Sequence, residues 1–194
     1  MHALRRTLQA ARIGAAAALA VAGATTAAGA QGHLAVTSTD VATTGMIPMK
    51  HVFNGMGCAG QNVSPALKWS GAPAGTKSFA VTVYDPDAPT GSGWWHWILY
   101  DIPAGTTALA AGAGAPNGSG KPPGSAQGNT DFGTPGYGGP CPPPGDKPHH
   151  YVFTVFALKV AKLGVPATAT AAMVGFNLNA NALAKGTLTA RFGR

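Results

Sequence analysis

The stretch Ser78-Phe79-Ala80-Val81-Thr82-Val83-Tyr84-Asp85 puts Phe79, Val81 and Val83 on one side and Ala80, Thr82 and Tyr84 on the other. A period of two residues, carried by β-branched and aromatic side chains, predicts a β-strand. Two further segments read the same way. Trp95 to Ile102 ends at Pro103-Ala104-Gly105, and Tyr151 to Val160 is apolar nearly throughout, which predicts a central strand. Leu34 to Ser38 alternates, Ile47 to Phe53 reads as another strand, and Leu67-Lys68-Trp69 begins a short one. Thr168 to Lys185 is the one good helix candidate, with Ala171, Val174, Leu178 and Leu183 on one stripe and Gly186 as its cap. Thr187 to Phe192 then reads as a closing strand. Strands first, one late helix and a last strand predict a mainly β, antiparallel, sandwich-like fold with one or two short helices late in the chain.

The first residues read as a processed leader. Arg5, Arg6 and Arg12 form a basic start, Ile13 to Val21 an apolar run, and Ala28-Gly29-Ala30 a small-residue cleavage site. Residues 13–30 are mostly alanine, too weakly apolar for a good membrane anchor. Cleavage near Ala30 leaves residues 31–194 as one domain, expected in the periplasm or secreted, with no integral span after cleavage. An uncleaved anchor or a disordered arm is the alternative. With the leader's three arginines removed, the formal charge falls from +7 to +4. The remaining lysines and arginines are scattered, so nothing tracks a phosphate backbone and nucleic acid is excluded as a partner. All six acidic residues are aspartates. Cys58 and Cys141 lie in Gly/Pro-rich loops, and an even count in an exported chain favours a disulfide over two separate buried thiols. Such a bridge closes a loop worth about 4–5 kcal/mol in the chain-entropy model.

Two segments concentrate the chemistry. The first is Asp85-Pro86-Asp87-Ala88-Pro89 followed by Trp94-Trp95-His96-Trp97; the second is Gly139-Pro140-Cys141-Pro142-Pro143-Pro144-Gly145 followed by His149-His150-Tyr151. The second closes a long irregular region, residues 104–146, and a loop of that length in a compact domain points to function or disorder. Pro86 and Pro89 fix the backbone around Asp87. One aspartate making an Asx-turn is the bland reading, stronger for Asp87 than for Asp85. On a regular strand His96 shares a face with Trp94, Ile98 and Tyr100, and its tryptophan surroundings strip its proton unless an anion is near. His149 and Tyr151 share one face of the next strand, and His150 points to the surface.

These motifs resemble the phosphatidylethanolamine-binding protein family, also called Raf kinase inhibitor protein-like, in its bacterial YbhB/YbcL-type branch. Asp85-Pro86-Asp87-Ala88-Pro89, Trp94-x-His96-Trp97, Gly139-Pro140-x-Pro142-Pro143-x-Gly145 and His149-x-Tyr151 carry the resemblance. Cys58-x-Gly60-x-Asn62-x-Ser64-Pro65 and Gly136-Tyr137-Gly138-Gly139-Pro140-Cys141 point to the bacterial branch. The resemblance implies a β-sandwich-like fold with a small anion pocket for phosphate, phosphoethanolamine head groups or similar oxyanions. It implies a lining of Asp85, His96, Pro142, His149 and Tyr151, with Asp87 and Pro89 shaping the rim. Asp85 is expected to hold His96 or His149 protonated, or to accept a bond from the ligand. The short link Thr90-Gly91-Ser92-Gly93 lacks the tyrosine that longer animal relatives carry there.

The resulting expectation is a non-catalytic binding protein without a cofactor. Its partners would be a small phosphorylated or carboxylate ligand, a protease or kinase that it inhibits or modulates, and a second copy of itself as a homodimer. A metal-dependent hydrolase using Asp85, His96 and His149 is one alternative, since two imidazoles and a carboxylate with an open position suit zinc or iron. A structural extracytoplasmic protein with a vestigial pocket is the other.

Overall fold

A computed structural model of the chain describes residues 34–194; the expected leader, residues 1–30, lies outside them. The elements run β1 (Ala35–Thr37), β2 (Asn54–Gly55), β3 (Cys58–Ala59), β4 (Leu67–Ser70), β5 (Ser78–Asp85), β6 (Trp94–Pro103), β7 (Ala108–Leu109), β8 (Ala126–Gln127), β9 (His149–Leu158), α1 (Ala171–Asn181) and β10 (Ala182–Phe192). Antiparallel pairing builds a five-stranded sheet in the order β10-β9-β5-β6-β8. β5 is its middle strand, with Val81 opposite both Leu99 and Val155. β9 is interior too, which is why its sequence is apolar on both sides.

A second sheet, β1-β4-β7, stands over one face of the first. Leu67, Trp69 and Leu109 of the small sheet pack with Phe79, Val81, Val83, Leu99, Phe153 and Val155 of the large one in a single buried cluster. The Trp69 and Phe79 rings lie 5.4 Å apart across that interface. The other face carries Ala80, Ile98, Tyr100, Phe156 and Leu158, which α1 covers with Val174 and Leu178. Both faces of β5 are therefore closed to water, so its alternate positions hold small Ala80 and Thr82 rather than charges. Each large apolar side chain buried this way stabilises the fold by about 1.5–3 kcal/mol.

Three expectations change. Residues 47–53 are not a strand: His51 N–H donates to Pro48 O (2.9 Å) and Val52 N–H to Met49 O (3.2 Å), closing a 3₁₀ turn over Met49–His51. A helical turn thus sits early in the chain, and only α1 is late. The helix is also shorter than residues 168–185. Thr170 caps it, its Oγ1 accepting from Met173 N–H at 3.2 Å. It ends at Asn181 because residues from Ala182 onward gain sheet partners on β9, Ala182 opposite Leu158 and Ala184 opposite Ala157. Gly186 is accordingly no cap. It lies within β10 where the chain before β1 crosses it, and a Cβ there would meet Leu34 O at 1.9 Å.

Cys58 and Cys141 are joined, with Cα atoms 6.0 Å apart and a sequence separation of 83. The bridge ties the β2–β3 hairpin to the proline loop before β9. Gly186→Ala should cost about 2–3 kcal/mol by overpacking, read as a Tm roughly 5–10 °C lower. A Tm within experimental error of wild type would refute the close approach. The unreduced protein should show no thiol to an alkylating reagent, and reduction should expose two and lower the Tm. Labelling without reductant would refute the bridge.

Candidate functional site

Antiparallel pairing gathers four strand ends at one edge of the large sheet. Asp85 at the end of β5 lies opposite Trp94 at the start of β6, Tyr84 lies opposite Val152 on β9, and His149 lies opposite Phe192 on β10. The loop from Asn129 to Gly145 folds over this edge. β6 does not enter it regularly. Val83 pairs with Trp97 and Tyr84 with Trp95, so His96 is the extra residue of a β-bulge. Bulges re-aim side chains. Here the bulge turns His96 and Trp94 away from the face that holds Ile98 and Tyr100, which corrects the expectation that His96 shares theirs.

Gly138 clamps the bulge from both sides. Its N–H donates to His96 O at 2.8 Å, and its carbonyl accepts from His96 Nδ1 at 2.7 Å. Glycine is required there, because a Cβ would lie 2.3 Å from the Phe132 ring. Asn62 holds the clamp in place: its Oδ1 accepts from Gly139 N–H (2.8 Å) and its Nδ2 donates to Tyr137 O (3.2 Å).

The result is a cavity of about 300 Å³. Its wall is formed by Pro89 and Thr90 after β5, Trp94 and His96 of β6, Phe132, Pro142 and Pro143 of the loop, His149 and Tyr151 of β9, and Met56 and Arg194 at the mouth. Arg194 donates to Pro142 O from Nε (2.7 Å) and to Gly57 O from Nη1 (2.8 Å), so it joins the proline loop to the β2–β3 hairpin. Tyr151 Oη and Trp94 Nε1 are buried with no hydrogen-bond partner among the described residues. Unsatisfied buried donors are uncommon; the third among the described residues, Trp69 Nε1, lies in the core between the sheets, away from the cavity.

The charges are arranged behind this wall. Asp85, 3% exposed, does not line the cavity. Its Oδ2 takes the Nδ1 proton of His149 at 2.8 Å, while its Oδ1 accepts from the N–H groups of Asp87 (2.8 Å) and Ala88 (3.2 Å). Asp85 therefore makes the Asx-type turn that was the bland expectation for Asp87, and orients His149 as well. Burial pulls the His149 pKa down, but the bond and charge of Asp85, with Asp146 and Asp87 beyond, outweigh it and hold the pKa above the ordinary value. His96 goes the other way: burial lowers it to about 4 against the opposing pull of the Gly138 carbonyl and Asp85. Asp85 thus favours the charged form of His149, whereas burial disfavours that of His96. Burial, reinforced by Asp85, raises the Tyr151 phenol, so its O–H stays intact.

The structure brings Pro89, His96, Pro142, His149 and Tyr151 to one cavity. Asp87 is not at its rim. It accepts from His150 N–H and Nδ1, each at 2.7 Å, and faces a separate surface groove with Lys147 and Arg191. Phe132, Met56 and Arg194 at the wall escaped sequence reasoning. Phe132 lies in the irregular region with no period to place it. Its ring stacks on Phe53 (4.5 Å) and meets the edges of Trp94 and His96 (5.4 Å each). Arg194 reaches the mouth only through the pairing of β10 with β9.

Comparison with known proteins agrees with this architecture. The family model described as phosphatidylethanolamine-binding protein matches residues 37–193. UPF0098 protein YbcL of Escherichia coli is 56% identical over 154 residues, covering 79% of this chain and 84% of that protein. The crystal structure of E. coli YbcL, described as a new member of the mammalian PEBP family, superposes with a TM-score of 0.82 at 53% identity, covering 84% of this chain and 99% of that one. UPF0098 protein YbhB of E. coli is 50% identical over 155 residues, 80% of this chain and 97% of that protein. "Putative lipoprotein LppC" of Mycobacterium tuberculosis is 41% identical over 147 residues, 76% of this chain and 66% of that protein. A match across nearly all the described residues, on a fold shared with a relative at more than half identity, shows that this chain belongs to the phosphatidylethanolamine-binding protein family.

Proposed function

We propose that this chain is a non-catalytic binding protein whose cavity takes a small phosphate-bearing or carboxylate ligand outside the cytoplasm. The observation that carries this reading is one cavity whose wall holds unpartnered donors, Tyr151 Oη and Trp94 Nε1, beside His149, whose charged form Asp85 at Nδ1 (2.8 Å) and Asp146 at Nε2 (3.4 Å) both favour. Charge-assisted hydrogen bonds from such donors to an oxyanion are shorter and stronger than neutral ones. Asp85 lies behind His149, so its charge acts through the imidazolium and does not face the ligand. Pro89, Pro142 and Pro143 make the wall rigid, which lowers the ordering cost of binding.

Three features support the non-catalytic reading. Both thiols are in the disulfide. The Thr90 hydroxyl is committed to Gly93 O. The Tyr151 phenol is held protonated. The hydrolase alternative needs Asp85, His96 and His149 to present free ligand atoms to one ion. Asp85 instead spends its carboxylate oxygens on His149 Nδ1–H and on the N–H groups of Asp87 and Ala88, and no group of three or more His, Cys, Asp or Glu side chains among the described residues is gathered to hold an ion. The leader-like residues 1–30, the disulfide and the lipoprotein description of the LppC relative support an extracytoplasmic location. Among the described residues no helix is long and apolar enough to cross a membrane. A protease or kinase target rests on the family resemblance alone.

Titration calorimetry at neutral pH with inorganic phosphate and phosphoethanolamine tests the reading. Wild type should bind, and His149→Ala should lose at least about tenfold in affinity. Asp85→Asn should weaken binding at neutral pH and recover on acidification, as His149 regains its proton. Silence of the wild type to these ligands, with a Tm unmoved by them, would leave the pocket vestigial and sink the proposal.

Stability should follow the two imidazoles in opposite directions. His96 has a depressed pKa, so the unfolded chain binds its proton first. Its contribution is present above the unfolded value of roughly 6.5 and is lost as pH falls toward about 4, with a slope near 1.4 kcal/mol per pH unit. His149 has a raised pKa; its contribution is present below the unfolded value and is lost as pH rises through the folded one. Urea unfolding of wild type and His96→Phe across acidic pH should therefore differ in slope by about one proton. Parallel slopes would contradict the buried neutral imidazole.

A further inference from the structure

α1 carries no charged side chain along its whole length, Ala171–Asn181. A helix that is apolar all round is normally covered on every side. Val174 and Leu178 do cover the large sheet, yet the opposite side of the helix faces water. There Phe176 is 74% exposed, Met173 48%, and Leu183, just past the helix, 36%. Met173 and Phe176 are three residues apart and so are neighbours on one side. The polar residues of the helix are asparagines with their amides turned inward. Nδ2 of Asn177, Asn179 and Asn181 donates to the carbonyl four residues earlier, each at 2.9 Å. This outer face is therefore apolar, and its polar groups are largely satisfied within the helix. None of its residues lines the cavity or the groove beside Asp87.

The charges next to this face are of one sign. Antiparallel pairing brings the start of β5, the end of β9 and the start of β10 together, with Ser78 and Ala182 both opposite Leu158. Lys77 precedes β5, Lys159 and Lys162 follow β9, and Lys185 lies early in β10; all four are exposed. α1 ends among them: Lys159 N–H donates to Asn181 O at 3.0 Å, and Lys185 Nζ donates to Asn179 Oδ1. The acid at this end is Asp101, largely buried, 3.6 Å from Lys162 Nζ. Lys77, Lys159 and Lys185 have no acidic partner among the described residues. Asp85, Asp87, Asp131 and Asp146 lie at the other end of the sheet, around the cavity, and Asp40 faces Lys50.

We infer that the outer face of α1 and this lysine end form a peripheral docking surface for an anionic lipid bilayer. Phe176, Met173 and Leu183 enter the boundary between headgroups and acyl chains, and the lysines extend their stems along it to meet the phosphates. A folded acidic protein would need a recess or matching polar groups for a specific fit. The outside of a single helix is convex and offers neither, whereas a fluid bilayer moulds to it. The surface is separate from the cavity, so the inference does not depend on what the cavity binds.

Cosedimentation of the exported, unreduced protein with vesicles tests this. Vesicles of equal parts phosphatidylglycerol and phosphatidylcholine should carry the protein down, vesicles of phosphatidylcholine alone should not, and salt at about 1 M should release most of it. Phe176→Ser should lower partitioning at least about fivefold, and Lys159→Gln and Lys185→Gln about fivefold each. Phe176→Ser should leave the Tm and phosphate binding in the cavity unchanged. Equal sedimentation with both vesicle types, or equal partitioning of wild type and Phe176→Ser, would overturn the inference. So would binding of soluble polyglutamate, or a dimer in sedimentation velocity, that depends on Phe176 while anionic vesicles fail to bind; the face would then serve a protein partner or a second copy. The wild-type comparison of the two vesicle types decides the matter even if a variant does not fold.

Discussion

The buried contact between Asp85 and His149 organises this end of the molecule. It joins the last residue of β5 to the first residue of β9 at 2.8 Å, with both side chains about 5% exposed or less. Two charges out of water are costly, and the attraction between them offsets that cost only if their remaining polar atoms are satisfied. Asp85 meets this condition through the N–H groups of Asp87 and Ala88. The same carboxylate therefore sets the turn that delivers Pro89 to the cavity and the ring orientation of His149. Removing it would loosen the wall and discharge the imidazolium together.

A second constraint is geometric. Without the extra residue in β6, His96 would point with Ile98 and Tyr100 toward α1, and the cavity would lose its imidazole from the wall. The bulge persists because Gly138 bonds it by backbone and side chain at once, and Gly138 is itself placed by Asn62. The disulfide then fixes the hairpin that supplies Met56 relative to the loop that supplies Pro142. The two histidine pKa values are shifted in opposite directions within one cavity, His149 up and His96 down. His149 faces a carboxylate, whereas His96 faces a carbonyl and aromatic edges in a drier setting.

Much of the architecture was legible from residue order. Alternation in β5 and the apolar run of β9 sufficed for strand identity, because side-chain period and burial are local properties of a sheet. The reading of residues 47–53 as a strand failed because apolar content does not distinguish a strand from a buried 3₁₀ turn. The helix ran too far because sheet pairing with β9 outweighed helical preference from Ala182 onward, a gain that exists only once β9 is in place. In the site, the alternation of His149, His150 and Tyr151 placed them correctly. The alternation applied to β6 failed at His96, since a bulge is a relation between two strands.

The sequence alone thus determined the family, the strand pattern and the residue types that meet at one edge of the sheet, because motif spacing and two-residue periodicity are written in the chain. Tertiary structure alone decided that Asp85 stands behind the wall, that Asp87 faces elsewhere, and that Phe132 and Arg194 complete the cavity. Those outcomes depend on distances between segments far apart in sequence, on the Asp85 carboxylate that raises the His149 pKa against burial, and on the desolvation that lowers that of His96.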